Sequence, residues 1–528
     1  TISWLRSGVG KFKMTKAWLI NILLALLLPL LSKHSLAQGD ARSRELVVQN
    51  IRIKVALVKE GMERWVEEGN DPQVVGLIMR DEFTPLMREG KHLDAVKVAD
   101  RALKILSKGP PRQKPKDLSR FRRTTNETQY IIFPIKEVGA LHQGRLEVLE
   151  QGIKRLQQKL GKARHPTKRN WGFHLMIPAW RYDPDHLENP NANIEKAIGS
   201  AFEVAIRNDI AFHITVETHE WNNRNDLWNY YRKDLPGYDQ ENKQNVEWLD
   251  WKGTPHPHRY RDWGHPERMP PVICYNSPRV LEEVRRLAGK VIGPHIAKGL
   301  TKLKAERKAH LLSGVTVGAE PSLPNYENIE HINPKIAALM DEDGVPKAKL
   351  GYNALTNKGY SRKKPPKDFG QALAEINQDF TTYWVRQLAE AGVPASKMYT
   401  HVAAGAGEVG SPHAEFTNAP IHIAFIKHAR PGWTTYPIGP LRHDFEILYK
   451  ALAKHGNPPW ASTESGPQMG RHAKLKAREY LERHFEYGAT LMLFNTGATS
   501  EELSSSLKEG IWNPKAIEAY REFLGSEH

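Results

Sequence analysis

Eight short apolar runs, most of them separated by stretches of helical periodicity, constrain this chain more than any other feature. They occupy 171–177, 210–216, 271–275, 311–320, 397–401, 432–436, 459–464 and 490–495. Strands that alternate with helices pair in parallel, because a parallel neighbour is reached only through a long crossover. Eight such units over about 360 residues fit an α/β chain folded as a (β/α)8 TIM barrel with long loops. A doubly wound open sheet shares this alternation. No glycine-rich phosphate loop follows the first run, which argues against its nucleotide-binding forms.

Two runs stop on a carboxylate. Leu311-Leu312-Ser313-Gly314-Val315-Thr316-Val317-Gly318-Ala319-Glu320-Pro321 is the fourth, and Pro459-Trp460-Ala461-Ser462-Thr463-Glu464-Ser465-Gly466 is the seventh. A carboxylate at the C-terminal end of a barrel strand faces ligand rather than core. Cleavage of a glycosidic bond takes one carboxylic acid to protonate the leaving oxygen and a second carboxylate across the sugar. Either glutamate alone reads equally as an ordinary strand-end acid. Their joint occurrence at strands four and seven makes Glu320 and Glu464 the candidate catalytic pair.

The region 171–500 resembles the clan of retaining β-glycoside hydrolases with glutamates after strands four and seven. Cys274-Tyr275-Asn276-Ser277-Pro278-Arg279-Val280, a long helix and then Gly318-Ala319-Glu320-Pro321 are similar to the family 42 β-galactosidase-like enzymes. The resemblance implies Glu320 as acid/base and Glu464 as nucleophile. Where the clan usually carries an asparagine that binds the sugar 2-hydroxyl, this chain has Ala319.

Aromatic faces stack on sugar C–H surfaces, while arginine and histidine bind hydroxyls or anions. Trp180, Arg181, Trp221, Trp433 and Trp460 stand at or just after run ends and are candidate substrate-binding residues, with packing as the alternative for each. Tyr436 and His401 end the sixth and fifth runs, where they could bond the nucleophile or the sugar. The stretch from His219 to His265 is rich in aromatic, histidine and arginine residues, and loops of that length in a compact domain are usually functional. Asp341 to Asp368 could form a rim or lid. His256-Pro257-His258 and His265 have no carboxylate at ligand spacing, so no metal is expected, and the chemistry needs no cofactor. No Gly-x-Ser-x-Gly elbow marks a serine hydrolase.

Upstream of the runs, 38–165 reads as a helical accessory region, placing the barrel at 166–528. Lys11, Lys13 and Lys16, the apolar run from Ala17 to Leu31, and Ser35-Leu36-Ala37 give the basic, apolar, small-residue order of a secretory signal cleaved after Ala37. Met14 is a natural start, which makes 1–13 an upstream extension. No later stretch is apolar enough to span a membrane, and a secreted or periplasmic location follows. The net charge is +16, of which residues 1–37 carry +5. Such an excess suits an acidic or sulfated glycan, although dispersed surface lysines account for it equally well, and no nucleic-acid motif accompanies it. A single cysteine, Cys274, excludes intrachain disulfides.

These readings predict an exported glycoside hydrolase that cleaves β-linked oligo- or polysaccharide by a retaining mechanism. A glycan-binding barrel without catalysis is the alternative that Ala319 supports. A helical scaffold built on 38–165 is a third.

Overall fold

The computed structural model describes residues 41–67, 73–108, 117–162, 168–181, 193–262, 265–318, 320–403, 416–435, 445–466, 476–494 and 511–525. The expected signal segment, Ala319 and Tyr436 lie outside the described residues. Among the described residues no helix is long and apolar enough to cross a membrane.

The strands are β1 (Gln129–Phe133), β2 (Arg169–Pro178), β3 (Ala211–Glu217), β4 (Arg259–Asp262), β5 (Pro266–Met269), β6 (Leu312–Val317), β7 (Met398–Thr400), β8 (Gly432–Thr434), β9 (Trp460–Ser465) and β10 (Ala489–Phe494). Eight of them form one sheet in the order β7-β6-β3-β2-β1-β10-β9-β8, and every pairing in it is parallel. The two ends of that sheet meet through parallel bridges, Tyr399 to Arg430 and Val402 to Trp433. The chain thus winds once round a (β/α)8 barrel, as the alternation predicts. Strands β4 and β5 form a separate antiparallel hairpin inside the loop that follows β3.

Two runs behave differently from expectation. The first barrel strand is β1, which pairs with β10 and β2 although it lies within the stretch expected to be helical. The barrel therefore begins near Gln129 rather than at 166. Conversely, Pro271 to Tyr275 is no strand. It is a buried loop, with one bridge between Ile273 and Val246 and a 2.8 Å bond from the Cys274 N–H to the Asn245 carbonyl. Val272, Ile273, Cys274 and Tyr275 are all buried, which explains the apolar run without any sheet. One strand gained and one lost leave Glu320 after the fourth barrel strand and Glu464 on the seventh.

Alternation along each strand separates two cores. Tyr130, Ile132, Ala211, Tyr399, Ala461, Leu491 and Leu493 fill the barrel, while their chain neighbours Ile131, Phe133, Phe212, Met492 and Phe494 join the larger core beneath the helices. The barrel interior also holds polar side chains that bond one another: His174 to Thr215 at 2.9 Å, His213 to Thr316 at 2.8 Å and Tyr399 to Thr490 at 2.9 Å. Strands approach closely at Gly172, where a Cβ would fall 2.2 Å from the Ala211 carbonyl oxygen. Only glycine fits there.

The helices Ala41–Glu67 and His92–Ser107 pack with the short helices between them around Ile51, Met62, Trp65, Val75, Phe83, Ala99 and Leu106. This core is separate from the barrel's.

Candidate active site

Strand β6 is buried along its whole length and ends at Gly318, whose φ of +104° turns the chain away from the sheet. Glu320 follows in the left-handed region at φ 57°, a conformation that costs a non-glycine residue about 1 kcal/mol or more. From there its carboxylate overhangs the C-terminal end of the barrel. Glu464 reaches the same spot from β9, and His401 from the residue after β7.

One donor atom each of Glu320, His401 and Glu464 lies within 4.8 Å of the others. His401 Nε2 stands between the carboxylates, 3.9 Å from Glu320 Oε1 and 3.7 Å from Glu464 Oε2. The histidine is buried, whereas the glutamate side chains keep 30% and 29% of their surface open. Both carboxylates are thus partly open to solvent above the buried ring.

Thr434, the last residue of β8, links them. Its hydroxyl donates to Glu320 Oε1 and lies 2.9 Å from His401 Nε2. The hydroxyl proton goes to the carboxylate, and the threonine oxygen sits beside the imidazole. Burial pushes the His401 pKa down to about 4, against the Gly318 carbonyl, so the ring is neutral at ordinary pH. Burial likewise raises the Glu320 pKa, opposed by the Thr434 hydrogen bond and by the charge of Arg259. A carboxyl that holds its proton above the usual range is suited to act as a general acid.

A third carboxyl stands nearby at the end of β3. Glu217 Oε1 accepts the backbone N–H groups of His219 at 2.6 Å and Glu220 at 2.8 Å, and burial pushes its pKa up to about 7. His219 Nδ1 is 3.1 Å from the same oxygen, and burial holds that ring well below its ordinary value.

Of the residues expected at the site, Glu320, Glu464 and His401 come together. The four tryptophans do not join them. Trp180, Trp221, Trp433 and Trp460 are buried, and each indole N–H donates to a backbone carbonyl: Thr218 at 2.6 Å, Pro271 at 2.9 Å, Ile421 at 3.1 Å and Tyr487 at 2.9 Å. They pair edge to face, Trp180 with Trp221 and Trp433 with Trp460, and present no stacking face to a sugar. Period-two alternation carries the signal: Trp433 directly precedes the inward Thr434, and Trp460 the inward Ala461. Arg181 pairs with Glu220 at 3.8 Å rather than with either catalytic candidate. His256 stacks on Tyr326 and His265 bonds Glu267 at 2.9 Å, so these histidines form no cluster. Arg259 belongs to the His219 to His265 stretch expected to be functional, whereas Thr434 and Glu217 carry no signal in the sequence, since a threonine or glutamate ending a strand has no motif.

No family model matches this chain, family 42 included, and no curated protein matches it. Six chains among the solved structures do. One is the PgaB (BpsB) glycoside hydrolase domain from Bordetella bronchiseptica, at 12% identity and a TM-score of 0.31, over 67% of this chain and 99% of that one.

Proposed function

We propose that the protein is a glycoside hydrolase that cleaves β-linked glycans with retention of configuration. The observation that carries the reading is the proximity of Glu320 and Glu464, whose nearest oxygens fall within 4.8 Å of each other with both side chains partly open to solvent. Retaining enzymes hold their carboxyl groups about 5–5.5 Å apart, whereas inverting enzymes need about 6.5–9.5 Å to admit a water. Glu464 attacks the anomeric carbon as Glu320 gives its proton to the leaving oxygen. Glu320, now ionised, then takes a proton from the water that releases the sugar from Glu464. The Thr434 hydroxyl stabilises the ionised form of Glu320 between the two steps, and neutral His401 adds no charge to compete with either.

Glu320→Ala and Glu464→Ala should each remove nearly all turnover on β-linked oligosaccharides while the folded circular dichroism spectrum persists. With azide and an activated aryl β-glycoside, the Glu464 variant should give the inverted glycosyl azide and the Glu320 variant the retained one. Wild-type turnover in either variant ends the proposal. The non-catalytic reading, supported by Ala319 in place of asparagine, predicts glycan binding by the wild-type chain with no product released. Export remains part of the proposal and rests on the signal-like order of residues 1–37.

A further inference from the structure

Hairpin β4–β5 carries three arginines, and two of them are tied. Arg261 bonds Glu220 and, at 2.7 Å, Glu267, while Arg268 bonds Asp343 at 2.8 Å and Glu342 at 3.2 Å. Arg259 has no side-chain hydrogen bond or ion pair among the described residues, although acids surround the hairpin on several sides. Its backbone is fixed instead, by the bond from its N–H to the Pro270 carbonyl at 3.1 Å.

The hairpin is held against the loop that follows Glu320. Tyr260, next to Arg259, donates its backbone N–H to the Tyr326 hydroxyl oxygen at 3.1 Å and its own hydroxyl to Asp343 at 2.8 Å. Arg259 thereby lines a recess with His219, Trp221, Tyr275 and Ser322. Ser322 lies two residues beyond Glu320, and its backbone N–H bonds the Tyr275 hydroxyl at 3.1 Å. The charge of Arg259 is felt by Glu320, Glu217, His219, Tyr275 and Tyr326, which sets the guanidinium among them. The acid within the recess itself, Glu220, is already bonded to Arg261. An arginine partly withdrawn from water, with no carboxylate hydrogen-bonded to its fork among the described residues, is suited to receive one from a ligand.

We propose that Arg259 forms an anion-binding subsite beside Glu320, which takes a carboxylate or sulfate group carried by the glycan. The inference rests on the two-glutamate reading for its location, and it narrows the substrate class to acidic β-linked glycans. A planar carboxylate fits the guanidinium fork with two parallel hydrogen bonds, and a sulfate ester offers the same pair of oxygens.

The test is calorimetric titration of the full chain carrying Glu320→Gln, so that binding is read without turnover. Three matched sets of β-linked oligosaccharides serve as probes: neutral, uronate-bearing and sulfated. At least one acidic set should bind tenfold or more tighter than the neutral set, and which of the two does so identifies the anion. Adding Arg259→Gln should bring acidic and neutral affinities to within about threefold. Arg259→Lys, which keeps the charge but loses the fork, should retain part of the preference and guards against a glutamine variant that fails to fold. Equal affinity for acidic and neutral sets overturns the proposal, as does a preference that survives Arg259→Gln or an absence of binding by all three. Product release by the wild-type chain is scored separately. Arginine-dependent binding without product would overturn the hydrolase reading and leave the subsite standing.

Discussion

Thr434 donates its hydroxyl proton to Glu320, and its oxygen is the hydrogen-bond partner of the His401 ring. One hydroxyl therefore supports the ionised form of the proposed acid and ties it to the histidine between the two carboxylates. Thr434→Val keeps the shape and deletes both bonds. The Glu320 pKa, already raised by burial, loses an opposing interaction and rises further. The alkaline limb of kcat/KM should move upward by about one pH unit, consistent with about 1.5 kcal/mol for a hydrogen bond to a charged group. Thr434→Ser should restore it. A limb that does not move in the valine variant means that another group is the acid.

Glu320 holds a backbone conformation that suits asparagine better than glutamate. Glu320→Asn should abolish turnover and yet stabilise the fold by about 1 kcal/mol, visible as a rise of about 1 °C in Tm. A lower Tm would show that the carboxylate contributes more to the fold than its backbone strain costs.

Glu247 is fully buried, with Oε1 unpartnered among the described residues, and burial pushes its pKa up to about 8. An acid with a raised folded pKa contributes stability that is complete below its unfolded value and is lost as pH rises through the folded one. This group alone lowers the unfolding free energy between about pH 5 and pH 8 by a few kcal/mol, and below about pH 6.5 the buried neutral histidines His401 and His219 act in the opposite sense. Glu247→Gln, which cannot ionise, should remove this contribution, read in denaturant titrations as a wild-type minus variant difference that falls across the window. Glu217, raised to about 7 by the same cause, leaves a residual fall of the same steepness that ends about one pH unit lower. A slope unchanged in the glutamine variant would assign the pH dependence elsewhere.

The donor atoms of Glu320, His401 and Glu464 are close enough for a divalent cation to draw together. If the two carboxylates act as acid and nucleophile, such a cation is an inhibitor. Added zinc should inhibit competitively with substrate, and prolonged dialysis against a chelator should leave turnover intact. Loss of activity on chelation, restored by one particular ion, would replace the two-glutamate mechanism with metal-assisted hydrolysis.

Much of the barrel can be read from the alternation of runs, and the catalytic candidates from the two that end on glutamate. The first strand escaped notice because Tyr130-Ile131-Ile132-Phe133 is four apolar residues cut off by Pro134, too short to assert a period amid helical sequence. The third expected strand failed for the complementary reason: apolar character reports burial, and Pro271 to Tyr275 is buried as a loop. Proximity to a strand end does not bring a tryptophan to the site, because the direction in which each side chain points turns all four into the core. Arg259 stands in the sequence only as one member of the arginine-rich 219–265 stretch, and three dimensions set it apart, because Arg261 and Arg268 have taken the local acids.

The barrel closes between β7 and β8, each three residues long, through isolated bridges rather than an extended ladder. His401 and Thr434 stand at that junction, and Glu320 and Glu464 flank it from the next strands outward. The weakest seam of the wall and the floor of the cleft are therefore the same place. A sugar held between Glu320 and Glu464 would act as a clasp across the seam, so that occupancy of the cleft and integrity of the cylinder become one equilibrium.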